Sequence, residues 1–91
     1  MGFFFSSKPK VSGQEFKKVR NYLYSKGFSR KELDEISQIF RADLDELSTQ
    51  QQGISSDEID KGINWMKENM RIHKISSHKI DILEQALRGK L

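Results

Sequence analysis

Apolar residues recur every three or four positions along most of this chain and form four separate stripes. That spacing is typical of amphipathic helices, which bury one face and expose the other. It predicts helices over about 13–26, 30–48, 56–70 and 77–89, and no stretch alternates with the two-residue period of a strand. The chain is therefore predicted to be all-α. The stripes contain Phe16, Val19 and Leu23, then Leu33, Ile36, Phe40, Leu44 and Leu47, then Ile59, Ile63, Met66 and Met70, and finally Ile80, Leu83 and Leu87.

The phrase KGFSRKEL, between the first two stripes, combines a helix stop with a helix start. Ser29 suits the N-cap, where its hydroxyl accepts from the Glu32 N–H while the Glu32 carboxylate reaches back to Ser29 as a capping box. Gly27 suits the left-handed position that ends the preceding helix, and a Schellman closure there brings Phe28 to Leu23. The phrase therefore predicts a helix boundary.

Similar sequence patterns precede the other helices. Ser12 and Ser55 are each followed three residues later by glutamate, whereas Ser76 is followed by Lys79, which leaves that capping box half made. Gly53 stands before the third helix as a stop signal. The four serines are 17, 26 and 21 residues apart, too uneven for a solenoid of equal units. The recurring serines thus indicate boundaries between helices rather than a ligand-binding repeat.

These elements predict a single compact domain of four short amphipathic helices over residues 12–91, preceded by an irregular N-terminal tail over residues 1–11. The break at Gly27 is too short to reverse the chain smoothly, so we expect a steep corner between the first two helices. The segment RIHK forms the last turn, with Ile72 and Ile75 expected to be tucked beneath it.

Length and composition narrow the class of protein. Ninety-one residues allow one small domain, and the absence of cysteine means that neither a disulfide nor a thiolate zinc site supplements its core. No apolar run reaches the length of a membrane span, and no signal-peptide core is present. We therefore expect a soluble, cytoplasmic protein.

Charge is unevenly distributed around a net value of +3. Residues 1–31 carry eight basic side chains and one acidic, residues 32–60 carry one and nine, and residues 61–91 carry seven and three. Such blocks indicate either mutual attraction within the fold, the preferred interpretation, or separate patches on its surface.

Three adjacent phenylalanines, Phe3, Phe4 and Phe5, lie in the polar tail MGFFFSSKPK and are candidate protein-binding residues. Two other interpretations stay open. One or two of these rings cover the helices, or the tail anchors the protein to a membrane surface, since the start of the chain fits the short N-myristoylation pattern.

Trp65 lies at the edge of the third stripe, beside Met66, and is a further candidate protein-binding residue. Tryptophan is enriched at binding hot spots, and methionine adapts to varied partners. The preferred alternative is a core position, because aromatics are scarce elsewhere in the predicted core. Gly62 lies on the same side, and a helical glycine there predicts the close approach of another helix.

The first helix is the most basic surface, and Lys17, Lys18 and Arg20 are candidate nucleic-acid-binding residues together with the tail. Tyr22 and Tyr24 could stack on single-stranded bases. A helix-turn-helix reader of DNA is disfavoured, because the third helix opens with three carboxylates where phosphates would be met.

Catalytic and metal-binding chemistry is not indicated. His73 and His78 flank the last turn without cysteine and are expected at the surface. Residues 39–59 end like a calcium loop, but counting back twelve positions from Glu58 meets no acidic cage. We predict no enzyme activity, no cofactor and no metal site.

The sequence favours a small soluble protein-interaction module that binds another protein or a second copy of itself. Nucleic-acid binding through the first helix and the tail is the alternative function.

Overall fold

The computed structural model of the chain describes residues 9–44 and 53–91. Four helices of ten to thirteen residues dominate it, and its two strands have two residues each, so the all-α prediction is confirmed. The elements in chain order are β1 (Lys10–Val11), α1 (Gly13–Ser25), α2 (Arg30–Ile39), α3 (Arg41–Leu44), β2 (Ile54–Ser55), α4 (Ser56–Glu68), α5 (Met70–His73) and α6 (Ser77–Arg88).

Each long helix begins at its predicted serine. Ser12, Ser29 and Ser55 all complete a capping box with the glutamate three residues later. At Ser29, for example, the hydroxyl accepts from the Glu32 N–H at 3.1 Å, and the Ser29 N–H donates to the carboxylate at 2.8 Å. Ser76 caps α6 through its hydroxyl alone, so the half-made box is confirmed.

The predicted closure of α1 is also confirmed. Gly27 has φ +97°, a left-handed conformation that costs glycine little. Its N–H donates to the Tyr24 carbonyl at 3.1 Å, and the Phe28 N–H donates to the Leu23 carbonyl at 3.1 Å. These two bonds define a Schellman motif, and both Leu23 and Phe28 are buried. The chain passes from α1 to α2 within four residues as a result.

Two predicted helices end earlier than their apolar stripes suggest. The second helix stops at Ile39 because Phe40 leaves the helical conformation, with φ −101° and ψ 8°, before the short α3 restarts. The third stops at Glu68 because Asn69, with φ −125° and ψ 38°, separates α4 from α5. No glycine or proline marks either interruption, so local signals did not predict them.

A short two-stranded antiparallel sheet joins the residues just before α1 to those just before α4, and it was not predicted from the sequence. Lys10 pairs with Ser55 and Val11 with Ile54 in antiparallel register. Gly53, with φ +116°, precedes the second strand, and a Cβ there would lie 2.9 Å from the Val11 carbonyl oxygen. Glycine at position 53 therefore allows the two strands to approach closely.

One hydrophobic core joins all the long helices. The helix α6 packs against both α1 and α4, and α1 packs against α2. None of the helices in the described ranges is both long and apolar enough to cross a bilayer. The buried core consists of Val11, Phe16, Val19, Leu23, Phe28, Leu33, Ile36, Phe40, Ile54, Ile59, Ile63, Met66, Ile75, Ile80, Leu83 and Leu87.

Candidate interaction surfaces

A groove of about 700 Å³ lies between α2 and α4 and reaches α5; we call it the Trp65 groove. Its floor is the contact between Phe40 and Gly62. A Cβ added to Gly62 would lie 2.5 Å from both Cε1 and Cζ of the Phe40 ring. Gly62 is closely packed, but the ring of the buried Phe40, rather than the predicted second helix, takes the space.

The apolar wall of the groove is unusually exposed. Trp65 is 41% exposed and Ile72 is 65% exposed, and both line the groove together with the half-buried Ile39. The preference for a core position of Trp65 is wrong, and so is the expectation that Ile72 is tucked beneath the turn. The non-helical Asn69 changes the register between α4 and α5, which carries Ile72 to the surface, whereas Ile75 is buried as predicted.

Trp65 rests on a fixed support. Its ring centroid lies 6.1 Å from that of His73, and the Asn69 side-chain amide donates to the Trp65 carbonyl at 2.8 Å. His73 is only 5% exposed, which contradicts its predicted surface position. Its Nδ1 accepts from the Ile75 N–H at 2.9 Å, so its Nε2–H donates to the Met66 carbonyl at 2.6 Å. The imidazole is a buried structural link, whereas His78 is exposed as predicted.

The polar rim of the Trp65 groove is mainly acidic. Among the described residues, Glu35, Asp43 and Glu58 line it with one basic residue, Lys61. Burial raises the pKa of Glu58, but hydrogen bonds with Asp43 and from Ser55 outweigh burial and lower that pKa below its usual value. Glu58 is therefore ionised at neutral pH, and the groove combines an apolar wall with a negatively charged edge.

The basic residues of α1 separate onto two faces. Lys17 and Arg20 line a cleft of about 520 Å³ between α1 and α2, which we call the α1–α2 cleft. Lys18 instead lines a different cleft, between α1 and the end of α6. Successive helical residues point about 100° apart, which is why neighbours in sequence separate. The predicted trio of Lys17, Lys18 and Arg20 is thus not brought together as one surface.

An aromatic and a further basic residue also line the α1–α2 cleft. Tyr24 lines it from α1, and Arg30 lines it from the first turn of α2. Tyr24 was expected to act together with Tyr22, but Tyr22 lies with Lys18 beside α6. Arg30 was not predicted as a site residue, because the tight turn at Gly27 that brings the two helices together fixes no distance between their side chains.

The remaining candidate residues, Phe3, Phe4 and Phe5, lie outside the described residues, and their role stays a prediction. Across residues 9–44 and 53–91, no three histidine, aspartate or glutamate side chains gather in a way that could hold a metal ion.

Comparison of the chain with protein-family models, with curated proteins and with solved structures finds no match. Its function is therefore argued from the geometry of its surfaces.

Proposed function

We propose that this protein is a cytoplasmic protein-interaction module without catalytic activity, and that its Trp65 groove binds a segment of a partner protein. The segment we propose is amphipathic, with apolar side chains for the groove and lysine or arginine for its rim. The observation that supports the proposal most directly is the exposure of Trp65 and Ile72 side by side above a buried aromatic floor.

The apolar wall has the character of a binding hot spot. Tryptophan contributes more to protein interfaces than most residues, because its large ring buries much area with few rotatable bonds. Here the His73 ring lies 6.1 Å from the Trp65 ring, and this contact restricts the indole before a partner binds. An exposed, supported aromatic beside an exposed isoleucine favours a partner over a role in folding.

The acidic rim selects the chemistry of that partner. Carboxyl groups outnumber ammonium groups among the described residues that line the groove, so its edge attracts basic side chains and repels acidic ones. The hydrogen bond between Asp43 and Glu58 requires these two carboxyls to share a proton, so the pair acts as one negative charge. An amphipathic helix with apolar residues at helical spacing and lysine or arginine at its margins meets both requirements, as helix-in-groove complexes do. Charge complementarity is thus the reason for choosing a basic segment over a neutral or acidic one.

Random-peptide display on the purified protein tests the proposal. Peptides enriched on the wild type should carry apolar residues three or four positions apart with flanking lysine or arginine. They should bind Ile72→Ser and Trp65→Ala at least about tenfold more weakly, a typical loss at a hot spot. They should also bind Glu35→Lys more weakly than the wild type. Circular dichroism establishes that each variant keeps its helices.

Three results would overturn the proposal. Selection that enriches no peptide, or acidic peptides, contradicts the partner chemistry. Enriched peptides that bind Ile72→Ser as well as the wild type place the contact elsewhere. A dimer in sedimentation analysis that Ile72→Ser converts to a monomer assigns the groove to a second copy of the chain instead.

A further inference from the structure

We infer that the α1–α2 cleft is a second, independent binding site, for single-stranded nucleic acid, with phosphates at Lys17 and Arg30 and a base stacked on Tyr24. The inference does not depend on the Trp65 groove. The site uses only the basic residues of α1 that line this cleft, and Lys18 is not among them.

The cleft has two walls with a suitable arrangement. Lys17, Arg20 and Tyr24 occupy positions i, i+3 and i+7 of α1 and so share one face of that helix, over roughly 10 Å. Arg30 faces them from the start of α2, four residues after α1 closes at Lys26. The cleft has a volume of about 520 Å³, which is within the range of small-molecule sites and leaves room for a nucleobase with its phosphate.

The charges in the cleft favour a phosphate ligand. In the described part of the chain, three basic side chains line it against one carboxylate, Asp34, which accepts from Arg20 Nη2 at 3.3 Å and so holds that guanidinium between the helices. Lys17 and Arg30 are exposed and have no hydrogen-bond or ion-pair partner among the described residues. These two cations are therefore available to a phosphodiester, the group that supplies most of the affinity in nucleic-acid complexes.

The aromatic side chain distinguishes this cleft from the one beside α6. Tyr24 is 62% exposed, and no described cation lies over its ring. In the other cleft the Lys26 ammonium lies 5.4 Å from the centre of the Tyr22 ring and covers it. Of the two tyrosines, Tyr24 is the more exposed, at 62% against 47% for Tyr22, and it is the better candidate to stack on a base.

The lysines of the cleft beside α6 are also accompanied by a carboxylate. The Ser12 N–H has the largest effect on the pKa of Glu15 and lowers it, and the attraction of Lys90 and Lys18 lowers it further. Glu15 is thus ionised at neutral pH and offsets part of the positive charge at Lys18. The α1–α2 cleft is the better phosphate site of the two.

Single-stranded ligands fit better than duplexes. A base reaches the Tyr24 ring only when it is unstacked and turned outward, which single strands permit and paired strands resist. The first turn of α4 carries Asp57 and Glu58 and offers no basic surface to extend contacts along a duplex. Stacking on any base is similarly favourable, so binding should be tolerant of sequence.

Fluorescence anisotropy with labelled oligothymidylate of about 12 nucleotides at low salt tests the inference. Lys17→Ala and Arg30→Ala should each weaken binding by about three- to tenfold, and Tyr24→Ala by about fivefold or more, whereas Tyr24→Phe should retain the affinity. The matched control is Lys18→Ala, which removes the same charge one residue away and should change affinity less than about twofold. Trp65→Ala should have no effect, which separates this site from the Trp65 groove.

Equal losses for Lys17→Ala and Lys18→Ala would mean diffuse attraction to a basic surface, and the inference would be wrong. It would also be wrong if Tyr24→Ala binds like the wild type, if a duplex of equal length binds as tightly as the single strand, or if no binding occurs at low salt.

Discussion

Lys79 of α6 donates from Nζ to both carboxylate oxygens of Glu32, at 2.9 and 3.2 Å, across 47 residues of sequence. The same ammonium donates to the Gly27 carbonyl at 3.3 Å and lies 5.4 Å from the centre of the Phe28 ring. The residue that leaves the capping box of α6 half made therefore binds α6 to the corner between α1 and α2. A glutamate at this position would complete its own box but would repel Glu32.

Neutralising this contact should destabilise the fold measurably. Lys79→Met keeps the aliphatic stem over Phe28 and removes the charge, and we expect the free energy of unfolding to fall by about 1–2 kcal/mol. In a double-mutant cycle with Glu32→Gln, urea denaturation should give a coupling energy of about 1 kcal/mol. Lys67→Met is the matched control at an exposed position and should change stability by less than about 0.5 kcal/mol. Coupling within about 0.3 kcal/mol of zero would contradict the role given to Lys79.

The glutamates of the three complete capping boxes have lowered pKa values. The Ser12 N–H lowers the pKa of Glu15. Burial raises the pKa of Glu32, but the Ser29 N–H and the Lys79 ammonium outweigh burial and lower it overall. Glu58 follows the same balance with Asp43 and Ser55 as hydrogen-bond partners. All three carboxyls are therefore harder to protonate in the folded state than in the unfolded chain.

Acid should accordingly destabilise the protein. A carboxyl with a lowered folded-state pKa contributes its full stability above the unfolded value of about 4.5, and that contribution is lost as the pH falls through the lower folded-state value. The three carboxyls should therefore cause the urea midpoint to fall below about pH 4.5. Glu32→Gln should show a shallower decline, because one of the three groups no longer titrates. A midpoint that rises on acidification, or a decline unchanged by Glu32→Gln, would be inconsistent with these capping boxes.

A methyl group at Gly62 should be costly although alanine is the better helix former. It would have to displace the buried Phe40 ring, and overpacking outweighs the gain of up to about 1 kcal/mol in helix propensity. We expect Gly62→Ala to lower the free energy of unfolding by about 1–2 kcal/mol. Gly13→Ala, where a Cβ meets nothing within 4 Å, is the control and should be neutral or stabilising. If both variants gain stability in urea denaturation, Phe40 does not pack on Gly62 as described.

Removing the His73 imidazole should leave one backbone group without a partner and weaken the bonding of another. The Ile75 N–H would be unsatisfied, and the Met66 carbonyl would keep only the Asn69 N–H at 3.3 Å, at a combined cost of about 1–3 kcal/mol in His73→Ala. His78→Ala, at the exposed histidine, should change stability by less than about 0.5 kcal/mol. Chemical denaturation of the two variants side by side checks the difference. Similar, small losses for both would show that His73 is not a structural link.

The helix starts could be predicted from sequence because their signals are local. A serine and a glutamate three residues apart make their hydrogen bonds within one turn. The sequence next to Ser12, Ser29 and Ser55 is therefore enough to predict where each helix begins. The stop at Gly27 is equally local. These signals and the apolar period were enough to predict the helical class and most of the core.

The features that the sequence did not predict depend on contacts between distant residues. Phe40 continues the apolar stripe of its helix, yet the helix is interrupted there. The Phe40 ring packs on Gly62, 22 positions later, and its centre lies 6.4 Å from that of the Phe16 ring. The pairing of Val11 with Ile54 involves strands too short to show a period of two. His73 was expected at the surface because its partners, backbone groups of α4 and the following turn, have no side-chain signature.

The candidate surfaces were predictable in composition but not in grouping. Trp65 and the basic residues of α1 could be selected by residue type. The residues that line each surface with them come from other helices. Arg30 of α2 lines the same cleft as Lys17 of α1, and Ile72 lines the same groove as Trp65 because the non-helical Asn69 changes the register between α4 and α5.

Trp65 is the only tryptophan of the chain, so its own fluorescence gives the most direct test of the proposed interaction function. A basic amphipathic peptide selected by display is titrated into the protein while the emission maximum is recorded. If the peptide covers the exposed indole, the emission should shift to shorter wavelength and saturate with the binding isotherm measured by calorimetry. Calorimetric binding with no change in Trp65 emission would contradict the account, because the partner would then occupy a different surface.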